Sequence, residues 1–95
     1  MGIKEEYQKE LQDQLDEWGR EIDKLKIVAS KAKAGLQAEY YKEVEDLRCK
    51  QLAAQKKLHE VKDASGDAWE DLKEGVEGAW DSLSTGIKKA ASRFK

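Results

Sequence analysis

Apolar side chains recur at intervals of three and four residues from the start of the chain to beyond its middle. The series contains Ile3, Tyr7, Leu11, Leu15, Trp18, Ile22, Leu25, Ala29, Ala32, Leu36, Tyr40, Val44 and Leu47, and after a weaker stretch Leu58 and Val61. With about 100° between successive residues of an α-helix, these positions form one narrow stripe. Strand-like alternation is absent, so the spacing predicts an all-α protein.

The clearest interruption of this pattern is Ala64-Ser65-Gly66-Asp67. Gly66 can supply the positive φ that ends a helix, and Asp67 followed by Glu70 is typical of a capping-box start. We therefore predict one domain over residues 1–95. It would hold a long amphipathic helix over about 4–64, a turn at 64–67 and a second helix over about 67–94, arranged as a coiled coil or a helical hairpin.

A second candidate break lies at Gly35, between alanine, lysine and leucine residues that favour helix. A break there would divide the chain into three segments of similar length, as a three-helix bundle requires. The apolar rhythm passes through Gly35 without losing phase, which favours the continuous helix. The three-helix bundle is the alternative.

The second predicted helix contains an 11-residue repeat, since Ala68-Trp69 and Leu72 recur as Ala79-Trp80 and Leu83. The same period continues upstream through Leu25, Leu36, Leu47 and Leu58. Eleven residues make three helical turns at 3.67 residues per turn, which indicates a straight or slightly right-handed stripe. The repeat describes architecture and assigns no function.

The second helix also has a bulky apolar face beside a line of small residues. The bulky residues, our candidate interaction face, are Trp69, Leu72, Val76, Trp80, Leu83, Ile87 and Phe94. The small residues are Ala68, Gly75, Ala79, Ser82, Gly86 and Ala90, a spacing that lets another helix approach closely. Either this face packs on the first helix as core, or it docks on a partner or a membrane.

The charges are numerous but balanced, with 18 basic and 20 acidic residues and a net charge of −2. Residues 1–66 carry 13 basic and 14 acidic side chains, and residues 67–95 carry 5 and 6. A nucleic-acid partner normally requires a basic excess, so none is expected. Because acidic residues dominate the first half of the second helix, a membrane surface is the less favoured partner. The N-terminus lacks the apolar run of a secretion signal, and we expect a cytoplasmic protein.

Residues that could carry catalysis or hold a metal are scarce. Cys49 is the only cysteine and His59 the only histidine, and both lie off the apolar stripe. A zinc site needs several converging ligands, and a catalytic nucleophile needs an adjacent base. We expect no enzyme activity, no cofactor and no metal.

Several segments are similar to the tail of small uncharacterised bacterial coiled-coil proteins. They are Asp67–Lys73, Ala79-Trp80 and Ser92–Lys95, with Leu15–Trp18 and Glu39–Lys42 fitting the same group. The resemblance implies a helical coiled coil and brings no functional residue with it. More loosely, the 11-residue period resembles that of apolipoproteins and late-embryogenesis stress proteins.

Two functions follow as hypotheses. The first is a non-enzymatic structural or interaction protein that self-associates, or binds a helical partner, through its apolar stripe. A helix of about 60 residues would be about 90 Å long, so a second helix of about 28 residues would leave part of the Ile3–Leu25 stripe bare. The alternative is a reversible lipid-surface or stress-protective protein that uses residues 67–95.

Overall fold

The computed structural model describes residues 2–94, and they contain helices and connecting turns but no strand. The helices are α1 (Ile3–Ser30), α2 (Ala34–Asp63), the short α3 (Ala68–Asp71) and α4 (Lys73–Arg93). The all-α prediction is confirmed. Met1 and Lys95, the ends of the predicted domain, lie outside the described residues.

The predicted continuous helix over 4–64 was wrong, because the chain turns back at Lys31–Lys33 between α1 and α2. The break lies two residues before Gly35, so the alternative three-helix bundle describes the fold. Two side-chain hydrogen bonds close the turn. Ser30 Oγ donates to the Ile27 carbonyl oxygen at 2.6 Å, and Gln37 Nε2 donates to the Ser30 carbonyl oxygen at 2.9 Å.

Burial of apolar surface explains why the hairpin forms in preference to the straight helix. In the hairpin the α1 stripe packs against the α2 stripe, so Leu15, Ile22 and Leu58 are each at most 2% exposed. A straight helix of this length would leave much of the same surface in water. Removing apolar surface from water is the main favourable contribution to folding, and it outweighs the few helical hydrogen bonds lost at the turn.

The second break lies where the sequence predicts it. Gly66 has a φ of 59°, the left-handed conformation that glycine adopts without steric cost. The predicted capping hydrogen bond from Asp67 does not form. The predicted helix over 67–94 is also divided, into α3 and α4. Between them the Leu72 amide donates to the Trp69 carbonyl oxygen, three residues earlier, at 3.1 Å. This is a tighter turn than that of an α-helix.

The three long helices form an elongated bundle of 52 × 20 × 18 Å. Helix α2 lies in contact with both α1 and α4, and each of these runs antiparallel to it. The interior is made of apolar side chains from all the helices: Leu11, Leu15, Ile22, Leu25, Ala29, Val44, Leu47, Ala54, Leu58, Val61, Trp69, Val76, Trp80, Leu83, Ile87, Ala90 and Phe94. None of the helices in residues 2–94 is long and apolar enough to cross a membrane.

Candidate interaction surface

The candidate interaction face of the second helix lies inside the bundle. Leu72 is partly buried and packs against the core. The other six residues are at most 7% exposed: Trp69, Val76, Trp80, Leu83, Ile87 and Phe94. The structure therefore brings the predicted residues together, but as a surface that α1 and α2 already cover.

Aromatic pairs join this face to the other two long helices at three levels of the bundle. Tyr7 and Trp69 lie with ring centroids 5.5 Å apart, and Trp18 and Trp80 lie 6.3 Å apart. Near the α1–α2 turn, the Tyr40 and Phe94 rings stack at 4.2 Å. Such contacts add to the burial of the rings themselves, so α3 and α4 are both held against the other helices.

One partly buried tyrosine has an altered acidity. The Tyr7 hydroxyl is enclosed and has no hydrogen-bond partner among the described residues. Burial raises the pKa of this hydroxyl above its ordinary value of 10.0, and the nearby Glu77 carboxylate raises the pKa further. The Lys73 ammonium lies 5.6 Å from the Tyr7 ring centroid and 4.5 Å from that of Trp69. These contacts hold the start of α4 against α1.

The line of small residues permits close packing at one position. A Cβ added at Gly86 would lie 2.8 Å from Leu47 Cδ2, a distance at which one of the groups must move. At Gly78 an added Cβ would meet nothing within 4 Å. Close approach of α4 to α2 therefore depends on Gly86, and Gly78 has no such role.

The two residues considered for chemistry both lie on the surface of α2. Cys49 is a free, exposed thiol. His59 Nε2 lies 3.5 Å from Asp63 Oδ2, one helical turn away, and both side chains are exposed. No group of three or more metal-ligating side chains occurs in residues 2–94. Being ten residues apart on one helix, Cys49 and His59 are separated by about 15 Å along its axis.

Exposed apolar side chains gather at the end of the bundle where α1 turns into α2. Of the six large exposed apolar residues within 2–94, four lie near this turn: Ile27 is 55% exposed, Val28 40%, Leu36 40% and Tyr41 37%. Exposed lysines surround them. We call the following group the hairpin-end surface: Lys26, Ile27, Val28, Lys31, Lys33 and Leu36.

Helical spacing explains how the α1 part of this surface arises. Lys24, Ile27, Val28 and Lys31 stand at positions i, i+3, i+4 and i+7, so they share one outward face of α1 and its turn. The inward face of the same turns carries Leu25 and Ala29, which are buried. The outward face of these turns therefore carries aliphatic and basic side chains, whereas the outward face of a bundle helix usually carries charged side chains alone.

The fold also separates the charges along the bundle. The last turns of α1, the first turns of α2 and the last turns of α4 meet at the hairpin end. These segments, 24–47 and 86–94, contain eight basic and four acidic side chains. The remaining segments, 2–23 and 48–85, contain nine basic and sixteen acidic side chains. Because charges are screened over about 8 Å at physiological salt, a partner at one end of a 52 Å bundle experiences the local charge rather than the net charge.

The hairpin end has a shallow cleft of about 420 Å³ between the turn and the end of α4. Its main lining residues are Val28, Lys31, Lys33, Leu36, Tyr40 and Phe94. Arg93 pairs with Glu43 and lies 3.7 Å from Glu39. Glu39 and Glu43 are thus engaged by an arginine, and the lysines around this cleft remain the charges that a partner would meet there.

Sequence reasoning missed this surface because it summed charges over contiguous halves of the chain. Residues 24–38 contain four lysines and no acidic residue, and residues 82–94 contain three basic residues and no acidic one. Those two runs were visible in the sequence. Only the bundle topology, which places both runs at one end, makes them a single basic surface.

Comparison of the chain with protein-family models, with curated proteins and with solved structures found no match.

Proposed function

We propose that this chain is a non-enzymatic interaction protein that meets its partner through the hairpin-end surface. The observation that carries the proposal is the concentration of exposed aliphatic side chains, among lysines, at one end of the bundle. Single exposed apolar residues are ordinary on protein surfaces, whereas a group of them ringed by polar residues is typical of a contact site.

The interior stripe is a weaker candidate for partner contact. Trp80 and Leu83 already pack within the chain, so a partner could reach them only if the bundle opened. Self-association through the stripe would require the apolar residues between Ile3 and Leu25 to be bare. Leu11, Leu15, Ile22 and Leu25 are covered in the bundle, which removes that premise and moves the proposed contact to the outer surface.

Absence of catalysis remains part of the proposal, on chemical grounds. General acid–base or nucleophilic catalysis needs two groups within hydrogen-bond reach of each other and of a substrate. His59 contacts only Asp63 on an open helix surface, and Cys49 lies too far along α2 to be activated by it. Cys49 lines a shallow cleft with Lys26, Tyr41 and Val44, and His59 does not line that cleft.

In-cell photo-crosslinking tests whether the hairpin end is the contact surface. Leu36 is replaced by p-benzoylphenylalanine in cells that express the chain, and the products are separated by mass. We expect a discrete crosslinked product from this position, whether the partner is a protein, a lipid or a second copy.

The matched control places the same photo-reactive group at Leu52, which lies on α2 and is 64% exposed. We expect little or no product there. Crosslinking at position 52 that equals or exceeds crosslinking at position 36 would place the contact elsewhere and contradict the proposal.

A further inference from the structure

We infer that the hairpin-end surface binds an anionic lipid bilayer, with Ile27, Val28 and Leu36 entering the interface while Lys26, Lys31 and Lys33 meet lipid phosphates. This inference rests on the proposed function and specifies the partner. It differs from insertion of residues 67–95, since the bundle stays closed and α4 keeps its apolar face inside.

The hairpin-end surface combines exposed aliphatic side chains with lysines. Ile27 and Leu36 are 55% and 40% exposed, and each has lysines close by in sequence and on the same end. Aliphatic side chains at the boundary of headgroups and acyl chains, with lysines at the phosphate level, are the usual composition of an interfacial membrane contact. Lysine stems can lie along apolar surface while their ammonium groups stay in water.

The positive charge of the hairpin end complements the negative charge of an anionic bilayer. Eight basic and four acidic side chains occupy the segments at this end, and two of the acidic ones, Glu39 and Glu43, lie against Arg93. Anionic bilayers attract each lysine held near their surface, over a range of about a Debye length. The acidic side chains lie mostly in the other segments, farther from such a bilayer.

Other anionic partners fit less well. A nucleic acid would use the lysines but gain nothing from exposed isoleucine, valine and leucine, because base recognition relies on aromatic stacking and hydrogen bonds. A second copy of the chain could approach the lysines with its acidic part. Within residues 2–94, the large exposed apolar residues of that part are Ile3 and Leu52. Lys4 Nζ lies 3.2 Å from the Lys62 carbonyl oxygen, which places Ile3 about 15 Å along the bundle from Leu52. The acidic part of a second copy therefore offers no apolar group that could cover the hairpin-end surface.

Vesicle flotation tests the inference on the full chain. One set of vesicles contains phosphatidylcholine only, and the other contains phosphatidylcholine with about a third phosphatidylglycerol. We expect binding to the anionic vesicles alone, weakening as salt is raised. Tryptophan emission should stay unchanged on binding, because Trp18, Trp69 and Trp80 pack in the bundle away from the turn.

Two variants, each with a matched control, locate the contact. Leu36→Gln should weaken vesicle binding at least about tenfold, the loss expected for one buried leucine, whereas Leu52→Gln should leave it unchanged. Lys31→Gln with Lys33→Gln should weaken binding at least about tenfold, and Lys56→Gln with Lys62→Gln should have little effect. All six positions are exposed, so circular dichroism should report an intact fold in each variant.

Several results would overturn the inference. They are no flotation with either vesicle, equal losses in the control variants, or a blue-shift of tryptophan emission that reports an opened bundle.

Binding of polyuridylic acid with unchanged affinity in Leu36→Gln would identify a general polyanion surface. Salt-sensitive oligomers in vesicle-free sedimentation would identify a second copy as the occupant. A protein crosslinked through position 36, with no flotation, would refute the lipid inference and leave the proposed function standing.

Discussion

Phe94 stacks on Tyr40, with their ring centroids 4.2 Å apart and their planes inclined by 21°. The Tyr40 hydroxyl also donates to the Arg93 carbonyl oxygen at 3.1 Å. Tyr40 lies in the second turn of α2, and Phe94 directly follows α4. This pair therefore holds the end of α4 beside the α1–α2 turn, which is why the basic residues of both segments share one surface.

Replacement of Trp80 tests the assignment of the second-helix face to the core. Trp80 is 6% exposed and lies against Trp18, so Trp80→Ala should lower the free energy of unfolding by about 3–5 kcal/mol. Since α4 contributes to the single interior, we expect the whole bundle to lose stability in one transition. Thermal unfolding followed by circular dichroism provides the measurement.

Leu52→Ala is the control for that experiment, because Leu52 is a large apolar residue of α2 that is 64% exposed. Its effect should stay below about 0.5 kcal/mol, as is usual for surface positions. An equally small effect of Trp80→Ala would show that Trp80 does not belong to the core.

The sequence was sufficient to predict the helical class, the turn at Gly66 and the apolar residues of the interior. It could not decide between a straight helix and a hairpin, because the apolar stripe keeps its phase through Ala32 and Leu36. That phase is a local property, whereas the choice depends on how much surface α1 and α2 bury against each other. Leu36 shows the consequence, since it continues the stripe yet is 40% exposed beyond the turn.

Gly86 and Gly78 form a second matched pair. Replacing a helical glycine by alanine increases helix propensity by about 1 kcal/mol, and Gly78→Ala should show this gain because nothing lies within 4 Å of the new Cβ. At Gly86 the new Cβ would press on Leu47, a buried residue, and overpacking typically costs about 1–3 kcal/mol.

We therefore expect Gly86→Ala to be at least about 1 kcal/mol less stable than Gly78→Ala. Urea unfolding of the two variants and the parent chain measures the difference. Equal stabilisation of both variants would mean that α4 does not approach α2 closely at Gly86.

The Tyr7 hydroxyl predicts a pH dependence of stability. Its pKa is raised in the folded chain above 10.0, so the folded state retains the proton more tightly than the unfolded state. The resulting contribution to stability is fully present below pH 10 and is lost as the pH rises through the raised pKa. Tyr7→Phe removes this contribution and also removes a buried hydroxyl without a partner, which should be close to neutral at pH 7.

Urea unfolding at pH 8 and at pH 10.5 tests this dependence. Between the two values the parent chain should lose more stability than Tyr7→Phe, while Tyr41→Phe, at an exposed position, should follow the parent chain. Identical losses in all three proteins would contradict a buried Tyr7 hydroxyl.

The hairpin-end surface lay beyond sequence reasoning for a related cause. Lys31 and Lys33 belong to one part of the chain and Lys88 and Lys89 to another, and only the antiparallel return of α4 places the two pairs at the same end. Even so, the run from Lys24 to Lys33 contains no acidic residue. All three lysines of the hairpin-end surface belong to this run, and they lie at an end of the bundle because the chain turns at Lys31–Lys33, where the sequence predicts a continuous helix.

The distance between residues 6 and 62 tests most directly whether the chain closes on itself. Lys4 Nζ lies 3.2 Å from the Lys62 carbonyl oxygen, so spin labels at Glu6→Cys and Lys62→Cys, with Cys49→Ser, should lie within roughly 25 Å of each other in the hairpin. A continuous helix would separate the two positions by about 84 Å. Double electron–electron resonance on labelled chains diluted with unlabelled chains should give the short distance. A distribution centred near 84 Å, or a short distance that disappears on dilution, would contradict the closed three-helix bundle.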